Sequence, residues 1–433
     1  MSVELITVLL FGGMMALMFL GVPALFAIGG ISAGLALWLE GYTALFTLAS
    51  TAFAQVTSMG LLAIPMFVMM ANLLIFSGIA DRLFQTLSYW FTRIRGSLAV
   101  ASVAVSTALA MCGGFGPGII TMSMVAIPAM RKRNYDKSLA IGSVMAGGIL
   151  GPIIPPSVMM IVMAYITRLP VGKLFMAGII PGFIASFGFV IYILVKCYLN
   201  PELAPPLVEE VTWKMRWISL GGIILPVFLV VGMLVAIFGG IATPTEAAGV
   251  GAAGALLCCV LNRTISWAMI KDSCLETIKV TGMVIWLMIA ANFLRVFFTS
   301  VGARSLVINL VTGMHVGPWV ILIGMQIMLL VLGMFMDDWA IIVICAPIFF
   351  PIALKLGFNP IWFAMVFLLN MVIAYLTPPF GWALILTKAL SPPDVSTSDV
   401  WRSAPPYMAI LVLVMILVMV FPSLALWLPS LVY

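Results

Sequence analysis

Apolar stretches of spanning or near-spanning length follow one another along almost the whole chain, and several are broken by short Gly- and Pro-rich segments. A helix needs about 20 apolar residues to cross a bilayer's hydrocarbon core. Residues 3–20 and 24–39 are expected to form two helices, split by Gly21-Val22-Pro23. Residues 61–79 read as a span. Asp81 to Arg95 is more amphipathic, carries Trp90, Arg93 and Arg95, and reads as interfacial. Residues 97–130 are apolar but interrupted by CGGFGPG at 112–118, and the basic loop RKRNYDK follows at 131–137. Residues 138–166 are broken by GPIIPPS at 151–157, and 182–199 is a further span. A polar connector with Pro201, Pro205, Pro206, Glu209 and Glu210 marks the boundary between halves. The second half begins with a span at 217–239, then TPTEAAG at 243–249 and a helix to about 261. Residues 263–279 look interfacial and 280–298 span. Residues 318–352 are interrupted by GMFMDDW at 333–339, and 360–390 by YLTPPFG at 375–381. After SPPDVSTSD the last span is 407–428.

Composition agrees with a polytopic membrane protein. Of 433 residues, 64% are hydrophobic and 8% are charged, whereas a soluble domain carries about 25% charged residues. Net charge is +6, from 20 Lys+Arg against 14 Asp+Glu. The basic residues cluster at helix ends and loops, as orientation in a membrane requires, and form no nucleic-acid footprint. One histidine, His315, excludes a multi-histidine metal site and argues against a Ser-His triad. Cys112, Cys197, Cys258, Cys259, Cys274 and Cys345 make no C-x-x-C pair and read as small apolar residues. The 32 methionines read as lipid-facing or core filler. The first apolar stretch lacks a basic leader and reads as a retained span.

The two halves match. Pro155-Pro156 corresponds to Pro378-Pro379 and Pro128 to Pro351, both at a shift of 223, and Gly114 meets Asp337 at the same shift. Asn72 corresponds to Asn292 at 220, and Pro23 and Gly30 to Pro244 and Gly251 at 221. We therefore divide the chain into a first repeat, 1–199, a connector, 200–216, and a second repeat, 217–433. Arg93, Arg95, Arg131, Lys132, Arg133 and Lys137 flank the first hairpin, but only Arg304 and Lys355 flank the second. Positive residues favour the cytoplasm, so the repeats are expected to be inverted.

Each hairpin arm has about 16 residues, or about 24 Å of helix, short of a crossing plus a turn. Two re-entrant hairpins with tips near mid-membrane are expected. Non-helical backbone at that depth persists only where protein or a wet cavity satisfies it. Freed carbonyls there can bind Na⁺, and helix N-termini can bind an anion. Asp337 and Asp338 stand at membrane depth, where a carboxylate suggests a functional site. Asp337 could ligate Na⁺ or cap the second arm. Asn72 and Asn292 suit helix packing, with support of the ion sites as the alternative. Glu246 suits a structural role. Arg295 could meet an anionic substrate or reach the interface.

GPIIPPSVMMIVMAYITRLPVGKLFMAGIIPG at 151–182, TPTEAAG, GMFMDD and YLTPPFG together resemble the large membrane subunit, DctM type, of tripartite ATP-independent periplasmic (TRAP) transporters. The resemblance covers nearly the whole chain. It implies an all-α, inverted-repeat, elevator-type carrier in the bacterial inner membrane, with two re-entrant hairpins and two broken helices. Scaffold helices would occupy 1–95 and 217–315. Hairpins and broken helices at 97–166 and 318–390 would move, and a final helix would occupy 407–428. It implies sodium-driven uptake of a small organic anion, with no cofactor beyond the coupling ion. A separate DctQ-type small subunit and a periplasmic DctP-type binding protein would be partners. Carried over, the first sodium site would use Gly113 and Gly114 with Gly151, Ile154 and Pro156. The second would use Gly333 and Asp337 with Ala374, Thr377 and Pro379. Both triplets run i, i+3, i+5. Gly116, Thr121, Ser157 and Asp338 would be substrate contacts. The first tip departs from the family in having no serine; Thr121 and Ser123 are its nearest hydroxyls. A stand-alone sodium/dicarboxylate carrier is the alternative. An intramembrane enzyme would need convergent acid-base residues, and one histidine with no H-E-x-x-H run does not supply them.

Overall fold

The computed structural model describes residues 2–432 except Arg93, Gly114, 206–210, Gly222, Met314, His315 and Phe380, with backbone only at 112, 113, 115, 117 and 312. The connector residues Pro206, Glu209 and Glu210 thus fall outside the described residues. All regular structure among the described residues is helical. The first half contains α1 (Val3–Phe19), α2 (Ala24–Glu40), α3 (Thr43–Val56), a 3-10 turn at Met59–Leu62, α4 (Ala63–Phe76) and α5 (Ile79–Trp90). Then come α6 (Ser97–Gly113), α7 (Phe115–Lys132), α8 (Lys137–Gly148), α9 (Val158–Thr167) and α10 (Val171–Leu199). The second half contains α11 (Trp213–Leu220), α12 (Ile224–Phe238), α13 (Pro244–Leu261), α14 (Trp267–Ser300) and α15 (Ala303–Gly313). It continues with α16 (Pro318–Gly333), α17 (Asp338–Lys355), α18 (Pro360–Ala374), α19 (Trp382–Leu390), α20 (Thr397–Ser403), α21 (Pro405–Val420) and α22 (Ser423–Val432).

Helix ends follow local chemistry. Pro23 precedes α2, and Gly21 takes φ +84° after α1. Gly78, at φ +77°, turns the chain into α5. Asp136 Oδ1 accepts from Leu139 N (2.9 Å) at the start of α8. Asn359 Oδ1 accepts from Ile361 N (2.9 Å) and Trp362 N (3.3 Å), with Pro360 opening α18. Thr243 and Glu246 form a capping box on α13, with Pro244 in its first turn. Glu246 therefore serves the helix end.

The helix order repeats. Starts at 3 and 224, 24 and 244, 97 and 318, 115 and 338, 137 and 360, and 158 and 382 lie 220 to 224 residues apart. Two packed groups result. In one, α4 packs on α13 and α14, and α14 also on α2 and α3. In the other, α6 and α7 pack on each other and on α8, while α16 and α17 pack on α18. The halves cross inside this second group, α7 against α19 and α17 against α9. The groups meet where α4 touches α6 and α9, and α14 touches α17. Among the described residues, six helical stretches are long and apolar enough to cross a membrane: Met59–Phe76, Val171–Leu199, Pro244–Leu261, Trp267–Ser300, Asp338–Lys355 and Thr397–Val420. Large apolar side chains such as Phe46, Phe53, Phe187 and Phe228 face outward, as lipid allows.

Several expected boundaries move. Sequence reading passes over α3, whose hydroxyls hide against its own carbonyls: Thr47 Oγ1 donates to Thr43 O (3.2 Å) and Thr51 Oγ1 to Thr47 O (2.8 Å). The interfacial stretch 263–279 and the span 280–298 merge into the 34-residue α14. A change of polarity does not end a helix, and 267–281 holds no Gly or Pro. The span expected at 182–199 begins at Val171 and carries Pro181 inside it. Interior prolines are tolerated where neighbours or local adjustment satisfy the freed carbonyl. The span 217–239 is divided between α11 and α12. The final span breaks at Phe421-Pro422, where Pro422 supplies no N–H.

Glycines let the helices of the second group close up. A methyl group on Gly147 would overlap the Val103 carbonyl and come within 2.7 Å of Ser106 Cβ. Gly12, in α1, has nothing within 4 Å of such a methyl. Gly147→Ala is expected to destabilise the protein by about 1–3 kcal/mol, because backbone cannot yield as a side chain can. Gly12→Ala is expected to be neutral or to stabilise by up to about 1 kcal/mol. Thermal midpoints of the purified protein check both; equal midpoints would mean that α6 and α8 are not in close contact.

Candidate functional site

The first hairpin reverses sharply. A Cβ on Gly118 would lie 2.8 Å from Ser106 O and 3.3 Å from Ala110 N, so α7 folds back on α6. The same Cβ would lie 3.5 Å from Gly148 Cα, at the end of α8. The tip of the first hairpin therefore sits on the beginning of the first break. The interruption is narrower than the expected 112–118. Helix α6 runs to Gly113 and α7 starts at Phe115, with Gly116 in its first turn. Pro117 falls there too, where a missing N–H leaves no helical bond unmade. Gly114 lies outside the described residues. Thr121 follows on α7, half-buried.

The first break, 149–157, is buried throughout. Leu150 O accepts from Ile153 N and Ile154 N, both at 3.0 Å. Ser157 Oγ donates to Pro152 O (3.3 Å) and accepts from Met160 N (3.4 Å), capping α9. The Ser157 hydroxyl is thus committed to backbone. A methyl on Gly178 of α10 would overlap the Ile153 carbonyl, and one on Gly182 would overlap the Ile154 side chain. No described donor reaches the carbonyls of Gly151, Ile154 or Pro156.

The second hairpin repeats the arrangement with different details. Helix α16 ends at Gly333, and a methyl there would overlap that of Ala374, the last residue of α18. Two of the residues expected at the second sodium site therefore meet. Asp337 occupies the N-cap position of α17, but its side chain makes no capping bond. In the second break, Thr377 N donates to Ala374 O (3.0 Å) and Gly381 N to Thr377 O (3.1 Å). Each of these carbonyls keeps a second lone pair. Thr377 Oγ1 donates to Ile373 O (2.9 Å). Pro379 is exposed, whereas Pro156 is buried.

Asp338 is buried, 6% exposed, and accepts a hydrogen bond from the Tyr375 hydroxyl. Tyr375 also lies 4.0 Å from Met159 Sδ on α9. One tyrosine thus joins the second tip, the second break and the broken helix of the other half. Sequence reading missed it; its position beside Thr377-Pro378-Pro379 was the available signal. Asn72 Nδ2 donates to Thr277 Oγ1 (3.1 Å), tying α4 to α14. Arg295 donates to Asn292 Oδ1 (2.7 Å), one turn back on α14.

Removing the Tyr375 hydroxyl leaves the buried Asp338 carboxyl without that donor. Tyr375→Phe is expected to lower stability by about 1–3 kcal/mol. A heat-denaturation series followed by size-exclusion chromatography measures it, and an unchanged midpoint would show that the bond contributes nothing.

The sequence matches the family described as "Tripartite ATP-independent periplasmic transporter, DctM component" over residues 11–424. The C4-dicarboxylate TRAP transporter large permease protein DctM of Pseudomonas aeruginosa is 32% identical over 408 residues, covering 93% of each chain. The isethionate TRAP transporter permease protein DctMQ of Oleidesulfovibrio alaskensis is 29% identical, over 88% of this chain and 60% of its own length. Among solved structures, Neisseria gonorrhoeae MtrF superposes with a TM-score of 0.65 at 12% identity, covering 90% of this chain and 85% of that one. That likeness is one of fold. Membership of a permease family makes this a multi-pass transport protein of the bacterial inner membrane and not an enzyme. Taken with the paired hairpins and broken helices, the match across nearly the whole length shows that the chain belongs to the DctM family, the large membrane component of tripartite ATP-independent periplasmic transporters.

Proposed function

We propose that the chain carries a small organic anion, a carboxylate or sulfonate, inward by an elevator movement driven by sodium. The hairpins and broken helices, 97–166 and 318–390, form the moving body, and the helices of 1–95 and 217–315 form the scaffold. The repeats are inverted, with the basic loop at 131–137 on the cytoplasmic side. A separate DctQ-type small subunit and a DctP-type binding protein complete the system.

The observation that carries this reading is the seating of each tip on the break of its own half, Gly118 on Gly148 and Gly333 on Ala374. Such seating gathers freed carbonyls around a small volume, which suits a hard monovalent cation. Carbonyls of Gly113 and Gly114 with Gly151, Ile154 and Pro156 would hold one Na⁺. Gly333 and the Asp337 carboxylate with Ala374, Thr377 and Pro379 would hold the other. The uncommitted carbonyls of the first break and the uncapped Asp337 side chain fit that role. Of the expected substrate contacts, Ser157 and Asp338 are already bonded internally. Gly116 and Thr121, at the N-terminal end of α7, remain free to face an anion. Each net charge moved inward with the membrane potential gains about 2.3 kcal/mol per 100 mV.

Proteoliposomes holding this chain and its small subunit, supplied with binding protein, test the reading. Uptake is expected only with an inward sodium gradient. Asp337→Asn and Thr377→Ala are expected to raise half-saturating sodium by about tenfold, the loss of about 1.4 kcal/mol of ion binding. Equal uptake with potassium replacing sodium would overturn the coupling. Full uptake by this chain alone would point to the stand-alone symporter instead.

A further inference from the structure

We propose that Arg168 and Arg295 form an anion-binding vestibule between the two packed groups, separate from the hairpin tips. A cavity of about 670 Å³ lies between α3 and α14 on one side and α9, α10 and α17 on the other. Its polar wall consists of Gln55, Tyr165, Arg168, Asn292 and Arg295. It carries two guanidinium groups and no carboxylate. Among the described residues neither arginine has an ion pair; Arg295 bonds the neutral Asn292 amide (2.7 Å). Gln55 is fully buried in the same wall. Its Oε1 accepts from the Tyr165 hydroxyl (3.4 Å), and its Nε2 has no partner. Arg168 ends α9 with φ +59°, the left-handed conformation in which glycine is usual at a helix terminus. A charged side chain kept at such a position suggests function.

The donors define the ligand. Two guanidinium forks with no carboxylate beside them recognise a planar carboxylate or a sulfonate. The ten residues of α9 place Arg168 about 15 Å from the first break, so its guanidinium is not part of the tip site. It sits at the end of the broken helix away from the basic loop at 131–137. Under the reading above, which this part of the inference rests on, that is the outer side. Arg168, the C-terminal cap of α9 just past residue 166, then travels with the moving body, and Arg295 belongs to the scaffold. Without an anion the two like charges repel across the sliding surface. With one between them the same pair attracts, so arrival of the anion favours the arrangement in which both arginines face it.

The test uses the chain with its small subunit in proteoliposomes, its six native cysteines replaced and one introduced by Ala54→Cys in the cavity wall. Labelling rates are compared for an anionic sulfonatoethyl and a cationic trimethylammonioethyl thiosulfonate. The anionic reagent is expected to gain on the order of tenfold over its ratio with a free thiol. That gain should vanish in Arg168→Gln/Arg295→Gln and persist in Arg168→Lys/Arg295→Lys. Millimolar succinate or isethionate should slow labelling only where both positive charges are present. An identical ratio with and without the arginines, or no protection by either anion, would overturn the proposal. Ile166→Cys, also in the wall, is read alongside, so that the result does not depend on one variant folding. Labelling needs no sodium gradient. Failure of the vestibule with sodium-driven uptake intact is therefore distinct from failure of the transport reading.

Discussion

Peptide groups released from helical hydrogen bonding at membrane depth must be sheltered by protein, and the rest of this fold is arranged around that need. The first break removes nine consecutive residues, 149–157, from helix, all of them buried. An unsatisfied amide in an apolar surround costs about 2–7 kcal/mol, so nine residues could not be left facing lipid. Shelter requires close approach, and close approach requires missing side chains. Gly178 and Gly182 bring α10 onto Ile153 and Ile154, Gly147 and Gly148 bring α8 onto α6 and α7, and Gly333 admits Ala374. The glycines are thus the converse of the prolines: one set opens the helices and the other closes the neighbours over the opening.

This complementarity explains what could be read in advance. Breakers announce themselves, so GPIIPPS, YLTPPFG and GMFMDDW mark real discontinuities at 149–157, 375–381 and 334–337. Their spacing gave the repeated helix order. Where no breaker stands, polarity misled. Helix α14 runs straight through Lys271, Asp272, Glu276 and Lys279, since one end of a long helix can be wet while the other is buried. Helix α3 was hidden by its threonines, which satisfy themselves on its own backbone. The Gly-rich first tip was overread, because glycines permit a loop without demanding one. The bond between Tyr375 and Asp338 joins residues 37 apart, and the Tyr375–Met159 contact joins residues 216 apart. No local pattern encodes a pairing that only tertiary packing creates.

The two halves repeat in plan and differ in chemistry. In the first, the break offers carbonyls alone: its serine caps α9 and its Pro156 is buried. In the second, a carboxylate stands at the tip, and the carbonyls of Ala374 and Thr377 already accept one bond each. If both hold sodium, the second gains a full negative charge and the first depends on dipoles. Coulomb attraction grows as the local dielectric falls, so the second site gains more from exclusion of water. The exposure of Pro379 leaves that site nearer solvent than its counterpart. If sodium binds at both, the stronger ligand set is therefore also the one nearer solvent.

Any movement of the hairpins must be collective, because the halves are crossed. Helix α7 of the first half packs on α19 of the second, and α17 of the second packs on α9 of the first. Displacing one hairpin alone would break contacts with both broken helices. The pairing continues to the surface, where Asp394, beyond α19, meets Arg131 (3.0 Å) and Lys137 (3.5 Å) around the loop after α7. The Arg131 hydrogen bond, with the nearby positive charges, holds the Asp394 carboxyl below its usual range. Exposed pairs of this kind contribute little stability. Their importance lies in register: they tie the same two elements that the buried contacts tie. If the groups slide as proposed, they do so at the seam where α4 meets α6 and α9, α5 meets α6, and α14 and α15 meet α17. That seam holds the two-arginine cavity, so under the proposed movement the place where the groups would part is also the place where a passing anion would change the sign of the force between them.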